Sequence, residues 1–469
     1  MTSACYLQSL KAPWVDECYT IYGVTHNSIF DFFPSITSGI NFSPPLYFLM
    51  NSLINIFWPL SIELLRIQSL FWTIFGLTLS YIFLKRCFGY TSSIVGILLF
   101  VSQSELLFNQ SLEARHYTMF FALGALVLLH QQNFLFSNTK TKFDAFGFAS
   151  HFLICLVHYF GIIFSVLTVL SLLFFHSKKS LKERVPFSIF FSWSLAIPIY
   201  IVLLRQQSSH LGNWPRPNGI HDLLENYNSS IILVSLVVPI FLLLYFKKSK
   251  TDPLLVHGQI KLAQKVILGT SALWFCVPFL FWFISHVYTL NLFKDRYFIP
   301  KEVTYMVFIT FILYFCIKRI RIIDHFSSSY LTIWGTFAFS SLLILIGFKR
   351  STFGMQPERN YHHWLLIDDA IRNLDIPLVF TADPLYFPNA YLFPENCFLF
   401  IEEENLRETY ISFSNLIQCI KKEEVDKFSS FILVSPMDEE TIDFPSHEMH
   451  PIKKSGGNLQ MSLRLYKRP

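Results

Sequence analysis

The sequence predicts a mainly α, polytopic transmembrane bundle followed by a small α/β domain outside the membrane. Three observations carry this reading. Of 469 residues, 52% are hydrophobic and only 15% charged, against about 25% charged in soluble domains. Apolar runs of crossing length recur between positions 65 and 347, about 20 residues being what ~30 Å of hydrocarbon requires. From about residue 350 the chain turns charged and mixed.

The expected crossings are 65–84, 92–109, 117–134, 143–157, 160–177, 186–204, 229–246, 266–289, 302–318 and 328–347. Basic residues fall in alternate loops: Lys85 and Arg86, Lys140 and Lys142, Lys178 to Arg184, Lys247 to Lys265, and Lys318 to Arg321. The positive-inside rule makes those loops cytoplasmic. The intervening loops, SLEARHY, VHYFG, HLGNWPRPNG and NLFKDRYF, are aromatic and polar and face outward. The net charge of +5 is accounted for by short-loop Lys and Arg, so no nucleic-acid partner is expected.

The stretch SPPLYFLMNSLINIFWPLSI at 43–62 is long enough to span. A crossing there would move every later basic loop to the outside, so it is expected as a juxtamembrane helix lying in the interface. Asp16 and Glu17 then lie outside, with the polar loops. Residues 1–349 form the membrane domain and 350–469 an extracytoplasmic α/β domain. In that tail, helix-period stretches at 361–374 and 404–421 alternate with the β-type runs PLVFT, CFLFI, FILVS and MSLRLY. The eight cysteines show no metal-ligand spacing; Cys397 and Cys419 lie together in the soluble tail, and their pairing stays open. No signal-peptide pattern, Walker A, GxSxG, HExxH or paired CxxC is present.

Chemistry is sought where ionisable residues share one membrane face. Asp16 and Glu17, adjacent in WVDECYT, read on their own as a solvated loop pair. In a low-dielectric cleft one of them would titrate high or bind a cation, which is how a general base is poised. Arg115 in EARHY and Arg296 in KDRYF read equally as snorkelling or interfacial cations and as groups fixing an anionic headgroup with charge-assisted bonds. Trp214 and Arg216 read as an aromatic belt, and His158 with Tyr159 as a short turn between apolar runs.

Taken in order, WVDECYTIY, NFSPPLYFLM, ELLRIQSLFWTIFGLTLSYIFLKRCFG, NQSLEARHYTMFFALGALVLL, LVHYFG, HLGNWPRPNG and NLFKDRYFIP resemble the GT-C membrane glycosyltransferases of the family 39 type. That group holds the bacterial relatives of the protein O-mannosyltransferases and the lipid A aminoarabinose transferase. The resemblance covers about residues 14–300, and more weakly the tail. It implies transfer of a sugar, with inversion, from a polyprenyl-phosphate donor to an extracytoplasmic protein, lipid or glycan. It implies also a multi-pass protein of the bacterial plasma membrane whose active site faces outward.

The family's catalytic acid matches Asp16, with Glu17 beside it. A carboxylate there takes the acceptor's proton as it attacks the anomeric carbon. Arg115 and Arg296 are the candidates to hold the departing phosphate, with His116, Tyr117 and Tyr297 as further donors. A phosphate leaving group makes a metal unnecessary, so no cofactor is expected, although a divalent ion stays open.

The chain departs from the pattern twice. Ser43 stands where relatives commonly have a basic residue or histidine. The lead-in MTSACYLQSLKAPWV is too short for the crossing helix that precedes the family's acid pair, which a start further upstream, a truncation or a lost helix would explain. Two other readings compete. A transporter or lipid flippase would place charges near the bilayer midplane, often in inverted repeats, and Glu105 alone favours it. A catalytically inactive GT-C scaffold would turn over no donor.

Overall fold

A computed structural model describes residues 15–25, 29–38, 43–136, 143–175, 187–207, 219–227, 258–287, 293–323, 376–392, 394–404, 407, 414, 417–436, 442, 444, 447–451 and 461–468. The expected crossings at 229–246 and 328–347, the helix at 361–374, and Trp214 and Arg216 lie outside these residues.

The chain opens with α1 (Val15–Val24), α2 (Ile29–Thr37), α3 (Leu46–Phe57), α4 (Ile62–Phe88), α5 (Tyr90–Gln103) and α6 (Glu105–Ser111). Next come α7 (Tyr117–Phe136), α8 (Ala145–Val157), α9 (Gly161–Phe175), α10 (Phe187–Gln207), α11 (Ile220–Asn226), α12 (Gly258–Phe275) and α13 (Val277–Val287). A 3-10 turn at Asp295–Phe298 leads into α14 (Lys301–Ile323). The tail supplies β1 (Leu378–Phe380), α15 (Asp383–Leu392), β2 (Cys397–Phe400), β3 (Cys419–Ile420) and α16 (Lys422–Val425). It ends with β4 (Ser430–Pro436), β5 (Glu448–Pro451) and β6 (Met461–Lys467). Two compact units result: Met1–Arg66 with Leu203–His210 and Met355–Pro469, and Ile67–Val202 with Leu211–Gly354.

In the helical unit, α7 is buried along most of its length, His130, Gln131 and Gln132 included, as suits a central helix. It packs against α8, α9, α12 and α14. Among the described residues four helices are long and apolar enough to cross a membrane: Ile62–Phe88, Tyr117–Phe136, Phe187–Arg205 and Ile260–Val287. The expected crossing at 92–109 is broken at Ser104, where α5 and α6 meet at 76°. The backbone of Ser104 is extended, and its hydroxyl accepts the Leu107 N–H and so caps α6.

Among the described residues, the segments 143–157 and 160–177 form helices of 13 and 15 residues, about 20 Å each. They are parted because His158 is extended and the chain turns back tightly at Gly161. A Cβ on Gly161 would lie 1.9 Å from the Ile154 carbonyl oxygen. Deeper in the bundle, the Gln131 amide of α7 meets the Ser171 hydroxyl of α9 at 3.0 Å and the Thr270 hydroxyl of α12 at 2.8 Å.

In the other unit, α1 packs on α2, α3 and α15. The 43–62 stretch forms the 12-residue α3, about 18 Å long and too short to span alone. Tyr47, Phe48, Asn51 and Ser52 are buried on one side, while Leu53, Ile56, Phe57 and Trp58 are exposed. Such a split suits a helix lying in an interface.

The tail builds a six-stranded sheet in the order β3-β2-β1-β4-β6-β5. The first four strands are parallel, and β6 runs antiparallel to both β4 and β5. One face is closed by Val379, Phe431, Leu433, Phe444 and Tyr466, with Phe431 stacked on its register partner Tyr466 at 4.9 Å. All four β-type runs read from sequence are strands. The 404–421 stretch, expected as a helix, ends in strand β3, and Cys419 there is not disulfide-bonded to Cys397.

Candidate functional site

The acid pair opens α1. Both carboxylates sit in its first turn, where exposed backbone N–H groups favour negative charge. Helical spacing sends successive side chains about 100° apart, and the two acids meet different surroundings. Glu17 is fully buried. Arg66, 2% exposed in the second turn of α4, grips it with both prongs of its guanidinium: Nε donates to Oε1 at 2.8 Å and Nη2 to Oε2 at 2.6 Å. Asp16 is half-buried, and the Thr20 hydroxyl donates to its main-chain oxygen at 3.0 Å.

Two adjacent carboxylates are therefore tolerated because one is neutralised by a fixed cation. The Cys18 thiol next to them is pushed well up by burial, and further by Glu17, with Arg66 opposing. It is an inert packing group rather than a nucleophile.

In the helical unit, Arg115, His116, Tyr117, Arg296 and Tyr297 come together. The loop 112–116 between α6 and α7 is fastened to α4 by the Ser69 hydroxyl, 2.6 Å from the Glu113 carbonyl and 3.3 Å from that of Arg115. The guanidinium groups of Arg115 and Arg296 stand 5.7 and 5.6 Å from the centre of the same Tyr117 ring, within cation–π range. His116 lies 4.4 Å from Tyr117, and Tyr297 lies 6.3 Å from it. Glu113, also buried, is the carboxylate on that loop.

His158 joins this cluster, although the sequence reads it as a turn residue. Its ring stacks on Phe120 at 4.8 Å and stands 5.4 Å from His116 and 5.1 Å from Tyr297. The Phe160 N–H donates to its Nδ1 at 3.1 Å. An N–H can be given only to a lone pair, so the ring proton of neutral His158 sits on Nε2. Burial, then the charges of Arg115 and Arg296, push its pKa down to about 3. Burial, Arg115, His158 and Arg296 likewise hold His116 well below the usual histidine range. Near neutral pH the cluster offers two fixed cations and two neutral imidazoles.

A second polar tie joins the segments that carry the two arginines. The Ser104 hydroxyl, at the break before α6, donates to Glu302 Oε2 at 2.7 Å in the first turn of α14. Glu302 is 1% exposed and Lys301 fully buried, with Lys301 Nζ 5.5 Å from the Tyr227 ring. Among the described residues, no three His, Cys, Asp or Glu side chains gather as a metal ion requires.

Sequence reasoning missed Arg66, His158 and Glu302 as participants. Arg66 left a signal, a charge within an otherwise apolar helix. His158 and Glu302 left none beyond being polar at helix ends.

A solved structure of ArnT from Cupriavidus metallidurans bound to undecaprenyl phosphate matches over 99% of this chain and 96% of its own, with a TM-score of 0.60 at 9% identity. The chain has the fold of ArnT. That protein is the lipid A aminoarabinose transferase of the GT-C family 39 type, one of the two groups the ordered segments resemble. The apo form of ArnT aligns with a TM-score of 0.47 and 10% identity over 97% of this chain and 93% of its own. No family model matches the sequence, and no curated protein matches it.

Proposed function

We propose that this chain moves a hexose or pentose from a polyprenyl-phosphate donor to an extracytoplasmic protein, lipid or glycan, with inversion at the anomeric carbon. The observation that carries the reading is the pairing of Arg115 and Arg296 over one tyrosine ring, beside two neutral imidazoles. Fixed guanidinium groups with neutral N–H donors suit a phosphate whose bridging oxygen gains charge as the sugar departs. The ArnT fold, seen with undecaprenyl phosphate in that protein, supports a polyprenyl carrier.

Asp16 is the base. Its carboxylate takes the acceptor's proton as the acceptor oxygen or nitrogen attacks the anomeric carbon. The bond from that carbon to the phosphate oxygen breaks, and its electron pair stays on the phosphate between Arg115 and Arg296. Tyr117 and Tyr297 line the phosphate site, and His158 adds an Nε2–H donor. Glu17 is engaged by Arg66, so we assign it to holding α1 rather than to proton transfer.

Residues 1–349 are the transferase domain and 350–469 an extracytoplasmic domain, in a bacterial plasma membrane with the site facing outward. The test is release of undecaprenyl phosphate from a panel of undecaprenyl-phosphate sugars in nanodiscs, with a crude envelope fraction as acceptor. Turnover is expected in the native chain and a loss of about 10²–10⁴-fold in Asp16→Asn, the usual worth of a general base. Continued turnover in Asp16→Asn would remove the base assignment. Silence of the native chain with every sugar would remove the reading.

A further inference from the structure

Helix α15 belongs to the tail's sheet domain, yet its Phe387 and Tyr391 contact the two helices that carry the Glu17–Arg66 pair. Phe387 is fully buried and Tyr386 is 1% exposed. The Phe387 ring meets Tyr19 of α1 edge-on at 4.8 Å and Tyr22 of α1 at 5.2 Å, and Tyr386 backs it at 5.4 Å. One turn further along α15, the Tyr391 hydroxyl accepts the Ile62 N–H at 3.2 Å. Ile62 is the first residue of α4, one turn before Arg66.

The position of that acceptor is informative. The first N–H groups of a helix have no partner within it and are ordinarily met by a neighbouring side chain or by water. Here Ser61 serves Leu64 locally, at 3.3 Å. The Ile62 N–H is served instead from 329 residues away. α15 therefore touches α1 through Phe387 and α4 through Tyr391, the two helices that the ion pair ties together.

We propose that the sheet domain is a positioning element for Asp16: α15 fixes the angle at which α1 presents the carboxylate, with Phe387 and Tyr391 as its two points of hold. This rests on the reading of Asp16 as the base. Neither residue touches donor or acceptor, and both act through α1 and α4. A displacement of about 1 Å at a reacting group costs on the order of 10²-fold in rate. Loss of the hold therefore falls on kcat and leaves donor affinity, set by the arginine cluster, in place.

The test uses the full chain in nanodiscs with Phe387→Ala, Phe387→Leu and Tyr391→Phe. Donor turnover is measured per folded molecule, and amide hydrogen exchange is followed over α1, the first turn of α4, and strands β2 and β4. Phe387→Ala is expected to lower kcat by about tenfold to a hundredfold, with donor KM within about twofold. Amides of α1 should exchange at least tenfold faster while β2 and β4 keep their protection. Phe387→Leu should recover most of both losses, and Tyr391→Phe should lower kcat several-fold with faster exchange at the start of α4.

Unchanged kcat and unchanged α1 exchange in Phe387→Ala and Tyr391→Phe would overturn the proposal. So would a loss of activity that only follows the amount of folded protein, with kcat per folded molecule unaltered. If Phe387→Ala also strips protection from β2 and β4, the decision passes to Phe387→Leu and Tyr391→Phe, which keep the core filled. Should the native chain turn over no donor, the base reading fails by itself, and α1 exchange still decides whether α15 holds the helix.

Discussion

Breaking the Glu17–Arg66 pair from either side is expected to cost far more than removing it whole. Both partners are buried, at 0 and 2% exposure, and the guanidinium meets both carboxylate oxygens at 2.6–2.8 Å. Glu17→Met leaves a buried cation without its counter-ion, and Arg66→Met leaves a buried anion. Each should cost about 3–5 kcal/mol, the usual penalty for an uncompensated charge in a protein interior. The double substitution removes both charges and leaves two flexible apolar side chains, so its cost should fall to about 1–2 kcal/mol. An interaction energy on the order of 4–9 kcal/mol between the sites follows from these figures. With an unfolding entropy of about 2.1 cal/mol/K per residue, a chain of this length loses on the order of 1 °C in Tm per kcal/mol. The single variants should melt about 3–5 °C below the native protein and the double variant about 1–2 °C below. Thermal unfolding of the four proteins in identical nanodiscs measures this. A double variant whose loss equals the sum of the single losses would refute the account, because it would mean the two charges do not feel each other in the folded protein.

Arg115→Lys and Arg296→Lys keep the charge but lose the planar fork; each should lower kcat on a polyprenyl-phosphate sugar, with losses approaching 10²–10³-fold if that fork donates to the departing phosphate. Stability should fall with acidification through His158: its folded pKa of about 3 lies below the ordinary value near 6.5, so the unfolded chain takes the proton first. The stabilisation is whole above pH 6.5 and is lost as pH drops toward 3, about 2 kcal/mol being gone by pH 5. His158→Phe should flatten that part of a plot of unfolding midpoint against pH by the same amount. Ser104→Ala removes the cap on α6 and the donor to Glu302 together, and should cost about 1–3 kcal/mol in thermal unfolding. Ser104→Thr should restore most of it.

What was legible in the sequence follows the range of the interactions concerned. The crossing helices and the strands at 378–380, 397–400, 430–436 and 461–467 are written in local periodicity, and periodicity survives in a single sequence. Asp16, Glu17, Arg115 and Arg296 were visible because charges are scarce in an oily chain. Their division of labour was not. Glu17 loses its freedom to Arg66, 49 residues away; the sequence shows that arginine as a charge in an apolar helix and does not name its partner. VHYFG on its own reads as a turn, whereas the partners of His158, His116 and Tyr297, come from the loop before α7 and the 3-10 turn before α14. The tight turn between α8 and α9 depends on the close approach of Gly161 to Ile154, which hydropathy does not register. The 404–421 stretch carries a helical pattern and yet ends on a sheet edge, where pairing with β2 outweighs local preference.

The knot of Gln131, Ser171 and Thr270 bears on how the chain is made. Ser171 and Thr270 can each share a proton with a carbonyl of their own helix, and Thr270 does so with Val266 at 3.0 Å. Gln131 meets its partners in α9 and α12, 40 and 139 residues further along the chain. A membrane helix carrying an unsatisfied amide is a poor resting state in hydrocarbon. During synthesis, therefore, the amide of α7 meets both of these partners only once α12 has been made.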